Sequence, residues 1–279
     1  MSSLPRTVAK QPGTPLLWGM NILFWRRPRI AVVELHGVIA SRDGAVSLRA
    51  MAPLIDRAFA ATKSGGALVL DIDSPGGSPV QSELIASLIR RRAEKGKVRV
   101  HAVIGEAGAS GGYWLACAAD EIHASAMSIV GSIGVVGGGF GFDTLIARYG
   151  VERRLYTAGE NKARLDPFRP ERPQDVAFVQ ALMTDIHARF KDWVRTRRGG
   201  RLADDPAVFD GSFFLGVRGQ ELGLVDGITS VEELVRTLGG ERARARRFRP
   251  RRRFALVRLP RLMLEAALDV AAARRFDLS

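Results

Sequence analysis

Apolar and polar positions follow two patterns that alternate along the chain. Short apolar runs, typical of buried strands, occur at IAVVELHGVI (30–39), ALVLDID (67–73), VRVHAVI (98–104) and VERRLYTA (151–158). Longer segments with apolar residues three and four positions apart predict helices over 48–62, 80–96 and 173–198. This alternation of strands and helices indicates an α/β fold with a mostly parallel sheet.

Glycine-rich turns lie where strands are expected to give way to other structure. In GEAGASGGYWLACAADEI (105–122), Ser110 lies between the strand at 98–104 and a helix predicted over 113–119. Glycine is costly inside helices and strands, so its density here indicates a backbone bent around Ser110. A second turn, DIDSPGGSPV, exposes N–H groups that can bind developing negative charge, and a third places Ser132 between glycines. Each turn alone is also ordinary turn chemistry.

Composition predicts one large domain with appendages, because 279 residues of which 46% are hydrophobic can bury a sizeable core. The single cysteine, Cys117, cannot form an intrachain disulfide and is interpreted as a buried small residue.

Residues 241–279 hold twelve arginines and four acidic residues, so most of the net charge of +13 lies there. The run RARARRFRPRRRF is therefore interpreted as an appended arm for an anionic surface.

The N-terminal run TPLLWGMNILFW is followed directly by RRPR. A spanning helix needs about 20 residues, so this run is too short to cross a bilayer, and its charges follow the apolar run, unlike those of a secretory signal. Interfacial anchoring and packing on the core or a neighbouring subunit both stay open. The predicted organisation is an apolar and basic segment (1–29), a main domain (30–238), and an Arg-rich arm with an amphipathic helix (239–279).

A serine hydroxyl is a poor nucleophile unless a neighbouring base takes its proton. The histidines stand in strand or helix patterns, which favours structural roles, and no Cys/His or His/Asp spacing indicates a metal site; they are His36, His101, His123 and His187. Lys162 lies in the irregular stretch YTAGENKARLDPFRP and is one of only six lysines among 42 basic residues. Lysine, unlike arginine, can lose its proton near neutral pH, although an ordinary solvated loop lysine is the alternative.

The motifs together resemble the signal peptide peptidase A family of serine–lysine peptidases, including its shorter SohB-like members. The resemblance covers roughly residues 30 to 235 and rests, in chain order, on DSPGGSP, ASGGYWLACAADEI, GSIGVV, GENK and GQELGLVDGI. It implies that Ser110 is the nucleophile, that Lys162 is the general base, and that Ser132 hydrogen-bonds the lysine amine. The backbone N–H groups of Gly77 and Gly111 are implied to bind the oxyanion.

The same resemblance implies a crotonase/Clp-like fold of stacked β-β-α units, here with a basic C-terminal helical extension. The implied activity is a serine endopeptidase that hydrolyses apolar or membrane-derived peptides, such as signal peptide remnants, without a cofactor or metal. A homo-oligomer is the expected assembly. Because a lysine acts as a base only when its amine is neutral, the mechanism requires a largely dry environment around Lys162.

Three other functions are weighed against this one. A crotonase-fold acyl-CoA hydratase or isomerase works with carboxylates, and a Clp-type protease needs a Ser/His/Asp triad. A polyanion-binding protein would act through the Arg-rich arm, but no recognisable nucleic-acid-binding domain accompanies the arm, so no specific nucleic acid is expected. We expect peripheral attachment to an anionic membrane surface through residues 241–279, on the cytoplasmic side rather than exported, or docking of this segment on a neighbouring subunit.

Overall fold

The computed structural model of the chain describes residues 30–62 and 66–250. The strands of its central sheet are β1 (Ile30–His36), β2 (Ala67–Ser74), β3 (Arg99–Ala109), β4 (Glu121–Ala124), β5 (Ile129–Gly131), β6 (Phe213–Leu215), β7 (Gly227–Ile228) and β8 (Arg246–Phe248). The sheet runs in the order β6-β5-β3-β2-β1-β8, with β4 beside β3 and β7 beside β4. All its pairings are parallel except the antiparallel pair β5–β6.

Helices connect these strands, which confirms the predicted α/β class. They are α1 (Leu48–Thr62), α2 (Pro79–Gly96), α3 (Gly111–Ala116), α4 (Asp143–Arg148), α5 (Pro173–Arg198), α6 (Gly216–Glu221) and α7 (Val231–Gly239). The three long helices, α1, α2 and α5, lie where apolar periodicity predicts them. Pro79 occupies the first turn of α2, and the Ser78 hydroxyl accepts a hydrogen bond from the Gln81 amide at 3.4 Å, so a Ser-Pro pair starts this helix.

Helices cover both faces of the sheet, which explains why the central strands are continuous apolar runs. On one face, side chains such as Leu35, Leu70 and Ile72 belong to the larger core, to which α1, α2, α3 and α5 contribute. On the other face, Val69 and Val103 belong to a smaller core with residues of α7. Strands buried on both faces need apolar residues at every position rather than at alternate ones.

The strand β3 is longer than the apolar run that predicted it. The run ends at Ile104, whereas the strand continues through five small or polar residues to Ala109, directly before Ser110. Its first half pairs with β4, from His101↔Glu121 to Ile104↔Ala124. Its second half pairs with β5, where Ala109 lies opposite Gly131. One buried strand therefore carries the chain from the middle of the sheet to the glycine-rich turn.

The prediction of a strand over residues 151–158 is wrong. These residues form no strand, and their side chains are nearly all exposed. Val151 and Tyr156 are 57% and 90% exposed, respectively. The apolar residues in this stretch do not reach the sheet, and a strand is stable only when a neighbouring strand pairs with its backbone and its apolar face is covered.

The beginning of the Arg-rich arm belongs to the sheet. Residues 246–248 form β8 and pair with β1, where Phe248 lies opposite Val33 and is 3% exposed. The segment 1–29 and the predicted amphipathic helix beyond residue 250 lie outside the described residues. Among the helices of the described part, none is both long and apolar enough to span a bilayer.

Candidate active site

Ser110 lies at the point where β3 ends and α3 begins. Its backbone is in an unusual conformation for a residue with a side chain, with φ 52° and ψ −121°. The Ser110 amide donates to the Gly131 carbonyl at 2.9 Å, and the Ser110 carbonyl accepts from the Trp114 amide at 3.0 Å. Such a backbone costs about 1–3 kcal/mol and persists only where the surroundings enforce it, as they do at the strained strand-to-helix turns that present nucleophilic serines.

The glycine turn after β2 lies directly against Ser110. A methyl group at Gly76 would approach the Ser110 Cβ and the Gly111 nitrogen to 2.8 Å each, so this position accepts no side chain. A methyl group at Gly77 would collide with the Ile39 carbonyl. The glycines predicted from the sequence are therefore required by close backbone contact, in addition to their positive φ angles of 101° and 139°.

The backbone at Gly77 and the backbone at Gly111 lie close together. A methyl group built on Gly111 would lie 3.3 Å from the Gly77 nitrogen, which places the two backbone segments side by side. Within residues 30–62 and 66–250, neither amide donates a hydrogen bond to another group of the chain. Two adjacent N–H groups without acceptors, next to a strained serine, can bind an oxyanion that develops on an attacked carbonyl.

Hydrogen bonds hold this turn in place. The Ile39 amide donates to the Gly76 carbonyl at 2.9 Å, and the Ser78 amide donates back to the Ile39 carbonyl at 2.8 Å. The fully buried Ser74 hydroxyl accepts from the Gly76 amide at 3.1 Å. These contacts fix the direction of the Gly77 N–H before any substrate arrives, and such preorganisation makes an oxyanion site effective.

Ser132 lies on the backbone segment next to Ser110. It follows β5, has a positive φ of 53°, and its amide donates to the Ser212 carbonyl at 2.8 Å. Because the Ser110 amide binds the carbonyl of Gly131, the two serines stand on neighbouring backbone segments. The structure thus brings together four of the five predicted site residues, namely Ser110, Ser132, Gly77 and Gly111.

The fifth residue, Lys162, is exposed in a turn at 160–165. Its amide donates to the Gly159 carbonyl at 3.1 Å. Its ammonium group forms no hydrogen bond or ion pair with Ser110 or Ser132 in the single chain. The turn is tied to α5 two residues later, where Arg164 pairs with the buried Asp175 at 3.2 Å and stacks 4.2 Å from the Phe178 ring centroid. The pairing of Lys162 with the serines stays a prediction.

No histidine forms a hydrogen bond with Ser110 in the part of the chain that the structure describes. His187 Nε2 lies 2.9 Å from the carbonyl oxygen of Ile133, next to Ser132. His36 lies 3.1 Å from Asp71 at the end of β1. Cys117 is also no nucleophile, because burial raises the pKa of its thiol to about 12.

A large cavity that the sequence did not indicate lies beside Lys162. Its volume is about 1190 Å³, and its walls are the glycine-rich loop 137–141, the turn region 157–172 and the first half of α5. Both apolar side chains, such as Phe140, Val176 and Met183, and charged side chains, such as Glu160 and Arg169, line it. In the sequence, α5 has apolar residues at helical spacing and residues 137–141 include four glycines, but neither pattern alone predicts a cavity.

Comparison with known proteins gives a consistent family signal. A sequence model described as peptidase family S49 matches residues 92–243, which include Ser110, Ser132 and Lys162. A Synechocystis protein named "Putative protease slr0021" is 32% identical over 207 residues, covering 74% of this chain and 72% of that protein. "Probable protease SohB" of Haemophilus influenzae is 29% identical over 173 residues, covering 62% of this chain and 48% of its own length.

The chain is also similar to part of a longer protein with a different name. "Na(+)/H(+) antiporter NhaA" of Brucella abortus is 42% identical over 241 residues, which cover 85% of this chain. The match covers only 33% of that protein, so the chain spans about a third of the length of these relatives.

Proposed function

Because the chain belongs to peptidase family S49, we propose that it is a serine endopeptidase in which Ser110 is the nucleophile and Lys162 is the general base. Family membership and the protease-named relatives support peptidase function. The observation that carries the finer assignment is the strained Ser110 backbone beside the two adjacent amides of Gly77 and Gly111. In the proposed fold, of the crotonase/Clp-like type, such paired amides form the oxyanion hole.

The proposed reaction follows from these positions. Lys162 removes the Ser110 proton as the Ser110 hydroxyl attacks the scissile carbonyl, and the amides of Gly77 and Gly111 bind the resulting oxyanion. The lysine then gives the proton to the leaving amine, and a water activated in the same way hydrolyses the acyl-enzyme. Ser132 accepts or donates a hydrogen bond at the lysine amine and fixes its position.

Lys162 needs a change of surroundings to perform this role. A neutral amine requires removal from water, and the Lys162 side chain is exposed in the single chain. We propose that a homo-oligomer, together with bound substrate, covers the region around residues 134–172. Large apolar side chains exposed in this region, such as Val136 at 97% and Phe140 at 81%, favour such a covering surface.

The cavity next to Lys162 supports apolar peptides as substrates. Phe140, Val176 and Met183 in its walls can contact apolar side chains of peptides derived from membranes or signal sequences, although charged residues also line it, and an extended chain could enter between the glycine-rich loop and α5. An acyl-CoA thioester would also use paired amides, so turnover of acyl-CoA without cleavage of any peptide would favour the hydratase alternative. The polyanion-binding alternative would be favoured if the chain showed no hydrolase activity and if deletion of residues 251–279 abolished its binding to nucleic acid.

A serine-directed fluorophosphonate probe tests the nucleophile. We expect the probe to label the wild-type chain once, at Ser110, and to leave Ser110→Ala unlabelled. Ser132→Ala should label about tenfold to a hundredfold more slowly, because it orients the base without forming the bond itself. Ser128→Ala, which changes a buried serine outside the site, is the control for folding effects. Labelling of Ser110→Ala, or of Ser132→Ala at the wild-type rate, would remove the corresponding residue from the mechanism.

Peripheral binding to an anionic membrane is the proposed localisation, on the cytoplasmic side. The segment 251–279 contains seven arginines and an apolar run, and each basic residue near an anionic surface contributes about 1 kcal/mol. Because β8 lies in the sheet, a deletion should begin at residue 251. It is expected to weaken sedimentation with anionic vesicles at least tenfold and to spare cleavage of a soluble peptide. The difference between the two proteins should shrink at high salt.

The alternative for this segment is a contact with a neighbouring subunit. Unchanged vesicle binding together with loss of the oligomer would reject the membrane arm in favour of that contact.

A further inference from the structure

Three side chains of metal-binding type meet at the edge where β3 pairs with β4. In the register of these strands, His101 lies opposite Glu121, and His123 follows two positions along β4. Side chains two residues apart on a strand point to the same face, so all three side chains share one side of the sheet. Neither HAVI nor EIHA alone has the spacing of a metal motif, and the cluster arises only from the strand pairing.

The donor atoms lie at distances suited to one ion. His101 Nδ1 is 3.2 Å and His123 Nε2 is 3.6 Å from the same carboxylate oxygen, Glu121 Oε2. The ligand atoms of all three residues lie within 4.8 Å of one another. With bonds of about 2.0–2.2 Å to zinc, the ligand atoms of a tetrahedral site are about 3.3 Å apart, so both histidine–glutamate distances fit with small adjustments.

Two of these potential metal-ligand atoms are buried without a hydrogen-bond partner. The orientation of the rings towards Glu121 does not produce hydrogen bonds despite the short distances, and both His101 Nδ1 and His123 Nε2 are left unsatisfied. His101 is only 3% exposed. A buried nitrogen without a partner costs about 1–3 kcal/mol, so two of them aimed at one carboxylate oxygen need an explanation.

The charge of the cluster suits a divalent cation. Glu121 uses its Oε1 for an ion pair with Arg99 and keeps Oε2 for the two rings. The three residues offer two ring nitrogens and one carboxylate oxygen as ligand atoms, and the carboxylate charge balances part of the charge of a divalent cation.

We propose that His101, Glu121 and His123 bind one divalent transition-metal ion, with zinc as the best fit. Zinc takes imidazole nitrogen and carboxylate oxygen in sets of three protein ligands, with a fourth position for water. The one-third exposure of the Glu121 side chain gives that position access to solvent. Magnesium and calcium, which prefer oxygen ligands only, fit the two imidazoles poorly.

The proposed ion joins β3 to β4 and takes no part in peptide hydrolysis. Ser110 directly follows the same strand and is nine residues beyond His101, which is about 30 Å at 3.3 Å per residue. The inference is therefore independent of the proposed peptidase mechanism, and the site should bind metal in Ser110→Ala as well as in the wild type.

Titration of the full chain with zinc tests the site. After treatment with a chelator and removal of the chelator, the wild-type chain should bind one Zn²⁺, measured by calorimetry, and its Tm should rise with zinc concentration. Co²⁺ in the same site should give visible absorption bands. We expect Glu121→Gln and His123→Phe to weaken zinc affinity at least tenfold. His36→Gln is the matched control, because His36 also lies next to a carboxylate, at 3.1 Å from Asp71, without a third ligand.

A fourth variant separates metal binding from a purely structural ion pair. Arg99→Met removes a competing positive charge from Glu121, so zinc should bind more tightly although the ion pair is lost. Absence of zinc binding by the folded wild type, or equal binding by Glu121→Gln and His123→Phe, would overturn the proposal. Circular dichroism checks that each variant folds; if one of these two does not, the other variant and the wild-type stoichiometry decide.

Discussion

Lys162→Ala is expected to abolish peptide hydrolysis as completely as Ser110→Ala. Members of a nucleophile–base pair act as a unit, so the loss of either one removes most of the chemical acceleration, a decrease of about 10⁴-fold or more in kcat. The fold should survive, because Lys162 lies exposed in a turn and makes no side-chain contact with the core. Cleavage of a fluorogenic apolar peptide, with circular dichroism of each variant, measures both effects.

The Lys162→Arg variant distinguishes a base from a fixed positive charge. Lys162→Arg keeps the positive charge but cannot lose its proton, so it should be as inactive as Lys162→Ala. Lys191→Arg, the same change on the surface of α5, is the control and should keep wild-type activity. Activity close to wild type in Lys162→Arg would show that the side chain acts as a charge and not as a base.

The pH dependence provides a second readout of the same residue. A serine–lysine mechanism uses a neutral amine as the base, so activity should rise with pH, and histidine-modifying reagents should have little effect. A rate that follows an ordinary histidine titration and disappears in a histidine variant would contradict the serine–lysine mechanism.

Asp226→Asn is expected to cause the largest loss of stability among single polar changes. Asp226 receives two hydrogen bonds from Arg198, at 2.7 and 3.0 Å, and one from the Ile122 amide at 2.7 Å. The Arg198 side chain is 2% exposed, and its remaining Nε–H donates to the Gly223 carbonyl at 2.9 Å. Removing the carboxylate leaves a buried guanidinium uncompensated, which typically costs about 3–5 kcal/mol. Urea unfolding measures the difference in the free energy of unfolding.

The matched control is an exposed ion pair. Asp56 and Arg92 are 2.7 Å apart, but their side chains are 46% and 42% exposed, so Asp56→Asn should cost less than about 1 kcal/mol. The double variant Asp226→Leu/Arg198→Met should recover part of the loss, because it removes both charges. Equal stabilities of Asp226→Asn and Asp56→Asn would show that the buried pair contributes nothing beyond a surface pair.

The contribution of Asp226 also depends on pH. Burial alone would raise its pKa, but the hydrogen bonds from Arg198 and Ile122 outweigh burial, and the pKa is lowered from its ordinary value. A carboxyl group with a lowered pKa in the folded chain stabilises it fully above the unfolded pKa of about 3.9 and loses this effect as pH falls further. The stability difference between wild type and Asp226→Asn should therefore be constant near pH 7 and decrease below about pH 4.

The sequence predicted the long elements well because their patterns reflect burial directly. The helices at 48–62, 80–96 and 173–198 carry apolar stripes at helical spacing, and β2 is apolar throughout because helices cover both of its faces. The site turns were also predictable, since positive φ angles and close backbone contact require glycine at positions such as 76 and 77.

Other features depend on contacts between distant segments. The sequence of β8 predicts part of a charged arm. Residues 246–248 form a strand because they pair with β1 and because Phe248 is buried. The metal-type cluster likewise depends on the register of β3 with β4, which no local pattern reveals. Conversely, VERRLYTA has a local strand pattern but no partner strand, so the predicted strand does not form.

The glycine turn and the cavity differ in how freely they can change during evolution. A side chain at Gly76 or Gly112 would strike neighbouring backbone, so substitution of these glycines beside Ser110 should disrupt the local geometry. Residues 137–172 contain one short helix, α4, and their side chains are mostly exposed, so most substitutions there should leave the fold intact. If the cavity binds the peptide as proposed, related chains can acquire new peptide preferences by mutation of its walls while the glycine turn stays the same.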